Sequence, residues 1–167
     1  MTHQTAEMIA PDFRLYSLAM FCRGQRVFMS REGGLKPLAE WLDIFRGKYR
    51  DCLLHDRVVG LAAARLIAYS GEVAAVTTLV ASRPARAFLA GAGITLQAEQ
   101  VVDDLLTPDR REIVPEEALA LETPDRRQFL DRIYRLLKYD PDDYFNCRGK
   151  CGYTPWCHDC MASRGLR

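Results

Sequence analysis

One segment of the chain, residues 74–80 (AAVTTLV), is almost entirely apolar and has a helical pattern on each side of it. Its length and its β-branched residues predict a strand of the kind found where helices cover both faces of a parallel sheet. The helical patterns cover residues 58–69 and 83–90, and a further strand pattern covers 94–102. Strand and helix therefore alternate through the middle of the chain.

A hairpin pattern precedes this alternation. Residues 13–21 and 26–30 are two apolar runs, and Gly24 between them can supply the positive φ that a tight turn requires. A helical stripe at 35–45 and a short buried strand at 52–54 follow. We therefore expect an α/β fold, a three-layer α-β-α sandwich with a mixed, mostly parallel sheet and an antiparallel hairpin at its start.

The length of 167 residues fits one domain with an appendage. Residues 1–11 show no period and are expected to be a disordered lead-in. Residues 12–140 form the α/β domain, which includes predicted helices at 115–121 and 125–138. Residues 141–167 lack helical or strand periodicity and form a cysteine-rich C-terminal segment.

Three polar residues are predicted to cap helices. Asp56 stands before the helix at 58–69, Ser82 before the helix at 83–90, and Thr123 before the last helix. Short oxygen-bearing side chains at these positions accept hydrogen bonds from the first backbone N–H groups of a helix.

Charge and hydropathy exclude several kinds of partner. The chain has 23 Lys and Arg against 22 Asp and Glu, a net charge of +1, so it has no electrostatic reason to bind nucleic acid or an anionic membrane. The first residues have neither the basic start nor the apolar stretch of a signal peptide, and no apolar run is long enough to span a bilayer. We expect a cytoplasmic protein that binds a small molecule or another protein.

The C-terminal segment holds four cysteines in the spacing C-x3-C-x5-C-x2-C, with glycines between them that permit tight turns. Thiolates are the ligands that Zn²⁺ and iron–sulfur clusters prefer, and cytosolic cysteines are normally reduced. We predict a Zn²⁺ or a [4Fe–4S] site here; a reducible, disulfide-prone tail is the alternative, and the spacing does not choose between the metals. The predicted ligands are Cys147, Cys151, Cys157 and Cys160.

Two cysteines and a histidine lie within the domain. Cys22 and Cys52 are on predicted strands, where an inert buried thiol is expected. His55 has no partner at a catalytic spacing and is expected to be a partly exposed residue at a strand end.

A candidate ligand site comes from polar residues near predicted strand ends and helix starts. Ser30, Lys36 and Asp56 have such positions, and α/β sheets place their ligands there. Gly33 and Gly34 before a helix can present N–H groups to an anion, although such a pair is more often only a turn.

Two stretches, residues 30–38 (SREGGLKPL) and 56–64 (DRVVGLAAA), and more loosely 115–117, resemble the bacterial family of domain of unknown function 1893. The resemblance covers roughly residues 26–121. It implies a fold similar to that of the cytidine deaminases. These stretches identify a family and not a catalytic motif, so they support the fold better than a function.

The zinc-binding motifs of the cytidine deaminases are missing from this sequence. Deaminases of this fold hold Zn²⁺ with a His or Cys at one helix start and a Pro-Cys-x-x-Cys at the next. Here residues 58–63 contain no His-x-Glu, and Ala85 and Phe88 stand where the two cysteines would fall. We therefore expect a non-deaminase binding or regulatory module with a metal-bearing tail; the alternative is a redox or electron-transfer component that uses the cysteine cluster.

Overall fold

The computed structural model describes residues 9–45 and 47–137, without the side chains of Asp43 and Ile44. Within these ranges the chain forms six strands and five helices. The strands are β1 (Leu18–Cys22), β2 (Gln25–Ser30), β3 (Cys52–Asp56), β4 (Val58–Val59), β5 (Val73–Ser82) and β6 (Thr95–Val102). The helices are α1 (Lys36–Ile44), α2 (Leu61–Ser70), α3 (Arg83–Gly91), α4 (Pro115–Glu122) and α5 (Arg126–Leu136).

All six strands belong to one mixed sheet. β1 is antiparallel to β2 and to β3, whereas β3, β4 and β6 are each parallel to β5. His55 pairs with Thr77 and Val58 with Val80, the same offset, so β4 continues β3 along the same side of β5. The predicted α/β fold, with a mixed and mostly parallel sheet that starts with an antiparallel hairpin, is confirmed.

The hairpin turn has the backbone that the sequence predicts. Arg23 and Gly24 both have positive φ, 52° and 76°. Two successive residues of positive φ give a turn whose twist matches that of the paired strands, and glycine adopts this conformation without steric cost.

The helices meet around α2, which contacts α1, α3 and α4. Ala62, Ala63 and Ala64 are all buried, because small side chains let α2 pack against neighbours on several sides. Trp41 of α1 and Tyr134 and Phe129 of α5 are the largest side chains buried in the same core. In the described part of the chain, no helix has the length and apolar character needed to cross a bilayer.

Two helix starts differ from the predictions. The first helix after β3 begins at Leu61 and not at residue 58, since Val58 and Val59 extend the sheet as β4. Asp56 therefore ends a strand and does not cap α2, whose N-cap is Gly60. Of the other two predicted caps, the first is confirmed and the second is wrong. Ser82 caps α3 as expected, accepting from the Ala85 N–H at 3.2 Å.

The cap of α5 is Asp125 and not Thr123. The Asp125 side chain accepts from the Gln128 N–H at 2.8 Å. Thr123 is buried just before the helix, and its hydroxyl instead accepts a hydrogen bond from Arg132 at 2.8 Å.

Cys22 and Cys52 are joined in a disulfide, so the expectation of two inert thiols is wrong. Cys22 ends β1 and Cys52 begins β3, and the antiparallel register brings their Cα atoms to 4.6 Å. That separation is the spacing of directly opposed residues on neighbouring antiparallel strands. Disulfides are uncommon in a reducing cytosol, and the cytoplasmic location stays a prediction.

Reduction of this disulfide is expected to lower the free energy of unfolding by about 3 to 4 kcal/mol, because it releases a closed loop in the unfolded chain. The bonded residues are 30 positions apart. Thermal unfolding with and without a reductant measures the effect. The stability of the double variant Cys22→Ala/Cys52→Ala should not change when a reductant is added. An undiminished loss of stability would show that the reductant acts on another part of the protein.

Candidate functional site

Two of the three predicted ligand-site residues lie in one row across the sheet. Leu18 of β1 pairs with Ser30 of β2 on one side and with Asp56 of β3 on the other. Directly opposed residues share a face, so the two polar side chains lie two strand spacings apart, roughly 10 Å. Lys36 is exposed at the start of α1, which follows β2. Ser30 and Asp56 therefore lie at the carboxyl ends of β2 and β3, and Lys36 begins the helix that follows β2.

Asp56 carries the most strongly perturbed carboxyl group of this edge. Burial raises the pKa of Asp56 from 3.8 to about 7, although the backbone N–H groups of Val58 and Arg57 donate to the carboxylate and oppose the shift. Near neutral pH such a group exists as both acid and carboxylate, so it can donate or accept a hydrogen bond. Perturbed carboxyl groups of this kind are enriched at functional sites.

The substitution Asp56→Asn is expected to stabilise the protein at pH 8 and to have little effect at pH 4. The folded protein holds the Asp56 proton more tightly than the unfolded chain does, so the stability falls as pH rises from the unfolded pKa to the folded pKa. The difference between the proteins should reach roughly 2 to 4 kcal/mol by pH 8. Urea unfolding across this pH range measures it.

The matched control for this prediction is Asp103→Asn, which removes an exposed carboxylate paired with Arg83 at 2.8 Å. Its effect should be small at every pH. A constant difference between Asp56→Asn and the natural protein from pH 4 to pH 8 would contradict the raised pKa.

Glu117 of α4 joins the starts of two other helices. One carboxylate oxygen, Oε1, accepts from the Ala62 N–H in the first turn of α2 at 3.0 Å. The other, Oε2, accepts from the hydroxyl of Ser82 at 3.2 Å, and Ser82 caps α3. The side chain is 3% exposed, so burial raises the pKa of Glu117 while the Ala62 and Ser82 hydrogen bonds lower it. The carboxyl group supplies the cap that α2 lacks from its own sequence.

Gly60 leaves the space that this carboxyl group occupies. A Cβ atom at Gly60 would overlap the Glu117 carboxylate and lie 2.6 Å from Cδ1 of Leu105. The φ of Gly60 is −95°, which any residue adopts, so its small size and not its conformational freedom is what the position requires. Nothing in the sequence assigned Gly60 or Glu117 to this site.

Arg65 of α2 is a buried cation, 3% exposed, and its guanidinium has a partner for every N–H. Its Nε donates to the Tyr69 hydroxyl at 3.0 Å, and it stacks over the ring of Phe129 with 4.0 Å between Cζ and the ring centroid. Its terminal nitrogens donate to the carbonyls of Ala120, Thr123, Pro124 and Asp125 at 2.5 to 3.5 Å. Arg65 thus fixes the end of α4 and the connection to α5.

His55 lies in an aromatic cluster on the face of the sheet opposite to Asp56. Its ring lies 4.8 Å from that of Phe21, 6.0 Å from that of Tyr16 and 6.4 Å from that of Phe13, measured between centroids. His55 is completely buried. The expectation of a partly exposed histidine is therefore wrong, because residues 12–16 cover this part of the strand.

His55 is hydrogen-bonded to the segment before β1. The hydroxyl of Tyr16 accepts from the Asp12 N–H at 3.0 Å and forms a second hydrogen bond of 2.6 Å with Nδ1 of His55. The hydroxyl donates to Nδ1 when the ring proton is on Nε2 and accepts from Nδ1 when the proton is there. Burial lowers the pKa of His55, and the carbonyl of Ile9 partly offsets this. We interpret His55 as a neutral residue that attaches the segment before β1 to the sheet.

The predicted metal ligands lie outside the described residues. Cys147, Cys151, Cys157 and Cys160 all follow residue 137, where the described part of the chain ends. In residues 9–45 and 47–137, no group of three or more His, Cys, Asp and Glu side chains is arranged to hold a metal ion. The four-cysteine site remains a prediction.

The fold and the site define a mixed α/β domain in which one buried carboxyl group bridges two helix starts. The chain belongs to the family described as domain of unknown function (DUF1893), whose model matches residues 14–137. It is similar to the crystal structure of a DUF1893 family protein (TM1506) from Thermotoga maritima. The two chains are 27% identical with a TM-score of 0.63, and the match covers 72% of this chain and 78% of the other. No curated protein matches the chain.

Proposed function

We propose that this protein is a binding module for a small anionic molecule, with a metal-bearing C-terminal segment, and that it is not a zinc deaminase. The single observation that carries the proposal is the position of Asp56, a carboxyl group with a pKa near 7 at the end of β3. Ligands of α/β sheets bind at the carboxyl ends of the strands, and Lys36 and Ser30 lie at the same edge.

The start of α1 favours an anion. It has no side-chain cap and no acidic residue in its first turn, and Lys36 is its first residue. By contrast, α2 receives the carboxyl group of Glu117 and α3 is capped by Ser82. The positive end of the helix dipole and the ammonium group of Lys36 attract negative charge, while Asp56 offers a polar contact to another part of the ligand.

We further propose that the fold is of the cytidine deaminase type, adapted to this role. The strand order β2-β1-β3-β5 with β6 beyond β5, and the antiparallel first hairpin, support this view. Glu117 occupies the point between the starts of α2 and α3, the two helices in which the deaminase ligands are missing from the sequence. A side chain already bonded to both helix starts leaves no role there for a metal-bound water.

The test is a thermal-unfolding screen of the full chain against phosphorylated and carboxylated metabolites at pH 6 and pH 8. We expect at least one compound to raise the unfolding temperature of the natural protein and of the control Lys48→Met, and to have much less effect on Lys36→Met. Asp56→Asn should remove the pH dependence of the effect. Compounds that stabilise Lys36→Met and Lys48→Met equally, or a screen without any stabilising anion, would contradict the proposal.

A second candidate function rests on the four closely spaced cysteines. In this alternative the C-terminal cluster passes electrons or senses oxidants, and the α/β domain carries it. A brown, air-sensitive preparation that contains iron and sulfide would favour the redox function. A colourless protein with one Zn²⁺ per chain would exclude it.

A further inference from the structure

In the described part of the chain, β6 is an edge of the sheet that carries no proline, glycine or bulge. Within the described ranges β6 pairs only with β5, so the N–H and C=O groups along its other side have no strand partner. The strand has eight residues with no proline or glycine, its register with β5 is regular, and Glu99 is its one charged residue. Natural edge strands normally carry charges, prolines or bulges, because an open edge pairs with other chains.

The edge at β2 is different. Like β6 it has one charged residue, Arg26, but it is shorter, with six residues, and a register shift between Met20 and Phe21 interrupts its pairing with β1. A shift of this kind twists an edge away from further pairing. The two edges of the same sheet therefore contrast, and only β6 is long and regular.

We propose that β6 is a homodimer interface, where it pairs antiparallel with β6 of a second copy and joins two sheets into one. The two-fold axis of such a pair is perpendicular to the sheet and keeps each face on its own side. A residue can therefore oppose only residues from the same face, which are every second residue along the strand. This restriction leaves few registers.

Charge selects among the remaining registers. With Ala98 on the axis, Gln97 lies opposite Glu99 of the partner subunit, and the symmetry produces this amide–carboxylate pair twice. With Glu99 on the axis, two carboxylates would oppose each other, which is unfavourable. Gln97 and Glu99 are both exposed on the same face of β6, so they are free to make these contacts. The register centred on Ala98 is the one that places an amide side chain opposite Glu99, so we assign this register.

The helix above this edge also fits a joined sheet. α3 packs on β5 and β6, so the two copies of α3 would lie two strand spacings apart, roughly 10 Å. That distance is the normal separation of packed helices. α3 has five exposed residues. Ala87, Ala90 and Gly91 are small enough to permit a close approach, whereas the other two are Arg83, which pairs with Asp103, and Arg86.

The test is the dimer dissociation constant of the full chain, measured by sedimentation equilibrium, with non-reducing gels to exclude disulfide-linked species. Gln97→Glu places two carboxylates in each pair and should weaken the dimer, whereas Gln97→Lys creates two ion pairs and should strengthen it, each by roughly 2- to 30-fold. The double variant Gln97→Glu/Glu99→Gln restores one charge per pair and should recover the natural constant.

The matched control is Gln25→Glu on the opposite edge, which should leave the constant unchanged. A protein that stays monomeric at every concentration would overturn the proposal. So would a dimer that Gln97→Glu and Gln97→Lys affect in the same direction, or that Gln25→Glu weakens as much as Gln97→Glu does. In a monomer, slow hydrogen exchange of those β6 amides that point away from β5 would show that the chain covers its own edge, and would also overturn the proposal.

Discussion

Replacing Arg65 with methionine is expected to lower the free energy of unfolding by about 3 to 5 kcal/mol, the largest effect of any single substitution proposed for this domain. Methionine fills a similar volume, but two buried backbone carbonyls, those of Ala120 and Thr123, and two partly buried ones just before α5 then lack the donors that Arg65 provides. It also loses the stacking of the guanidinium on Phe129. Urea unfolding monitored by circular dichroism measures the loss.

Two further variants separate the geometry of Arg65 from its charge. Arg65→Lys keeps the charge with three donors in place of five, so its destabilisation should fall between the natural protein and Arg65→Met. Arg135→Met removes an exposed arginine that pairs with Asp131 at 3.3 Å and should cost about 0.5 kcal/mol or less. Equal losses of unfolding free energy for Arg65→Met and Arg135→Met would contradict the stabilising role of the Arg65 hydrogen bonds.

Replacing Gly60 with alanine is expected to destabilise the protein by about 2 to 4 kcal/mol. The added methyl group overlaps the Glu117 carboxylate, so this side chain must leave its hydrogen bonds to Ala62 and Ser82, and Leu105 must shift. Because the backbone of Gly60 is compatible with alanine, the loss comes from the steric contact and not from backbone strain. Thermal and urea unfolding both report it.

A double-mutant cycle assigns this loss to Glu117. In a Glu117→Ala background the carboxylate is gone, so Gly60→Ala should cost at least about 1 kcal/mol less than it does in the natural protein. Gly33→Ala is the matched control: nothing lies within 4 Å of its added Cβ, and the change should be close to neutral. If the two substitutions lowered the free energy of unfolding additively, the overlap between the added methyl group and the Glu117 carboxylate would be contradicted.

Local patterns in the sequence predict much of the fold. The apolar run before Ser82 becomes β5, and the hairpin turn at Gly24 and the cap of α3 form as expected. The prediction failed at Asp56, which ends a strand, because two valines have a high strand propensity and can extend β3 once β5 is beside them. The local helical pattern of residues 58–69 carries no information about the neighbouring strand β5.

The site depends on contacts between distant parts of the chain. Glu117 and Ala62 are 55 positions apart, as are Arg65 and Ala120, and no local pattern links such residues. The disulfide was missed for the same reason, since only the register of β1 against β3 brings Cys22 to Cys52. Gly60 before a helix and two acidic residues at the start of α4 were the available signals, and each has a common local explanation.

We propose that the metal chemistry of this protein belongs to the C-terminal segment, whereas Glu117 fills the place between α2 and α3. Elemental analysis after anaerobic purification tests it most directly, on the natural chain and on a variant in which Cys147, Cys151, Cys157 and Cys160 are all serine. We predict stoichiometric zinc or iron in the natural chain and none in the variant. Metal retained by the variant, or absent from both proteins, would contradict the claim.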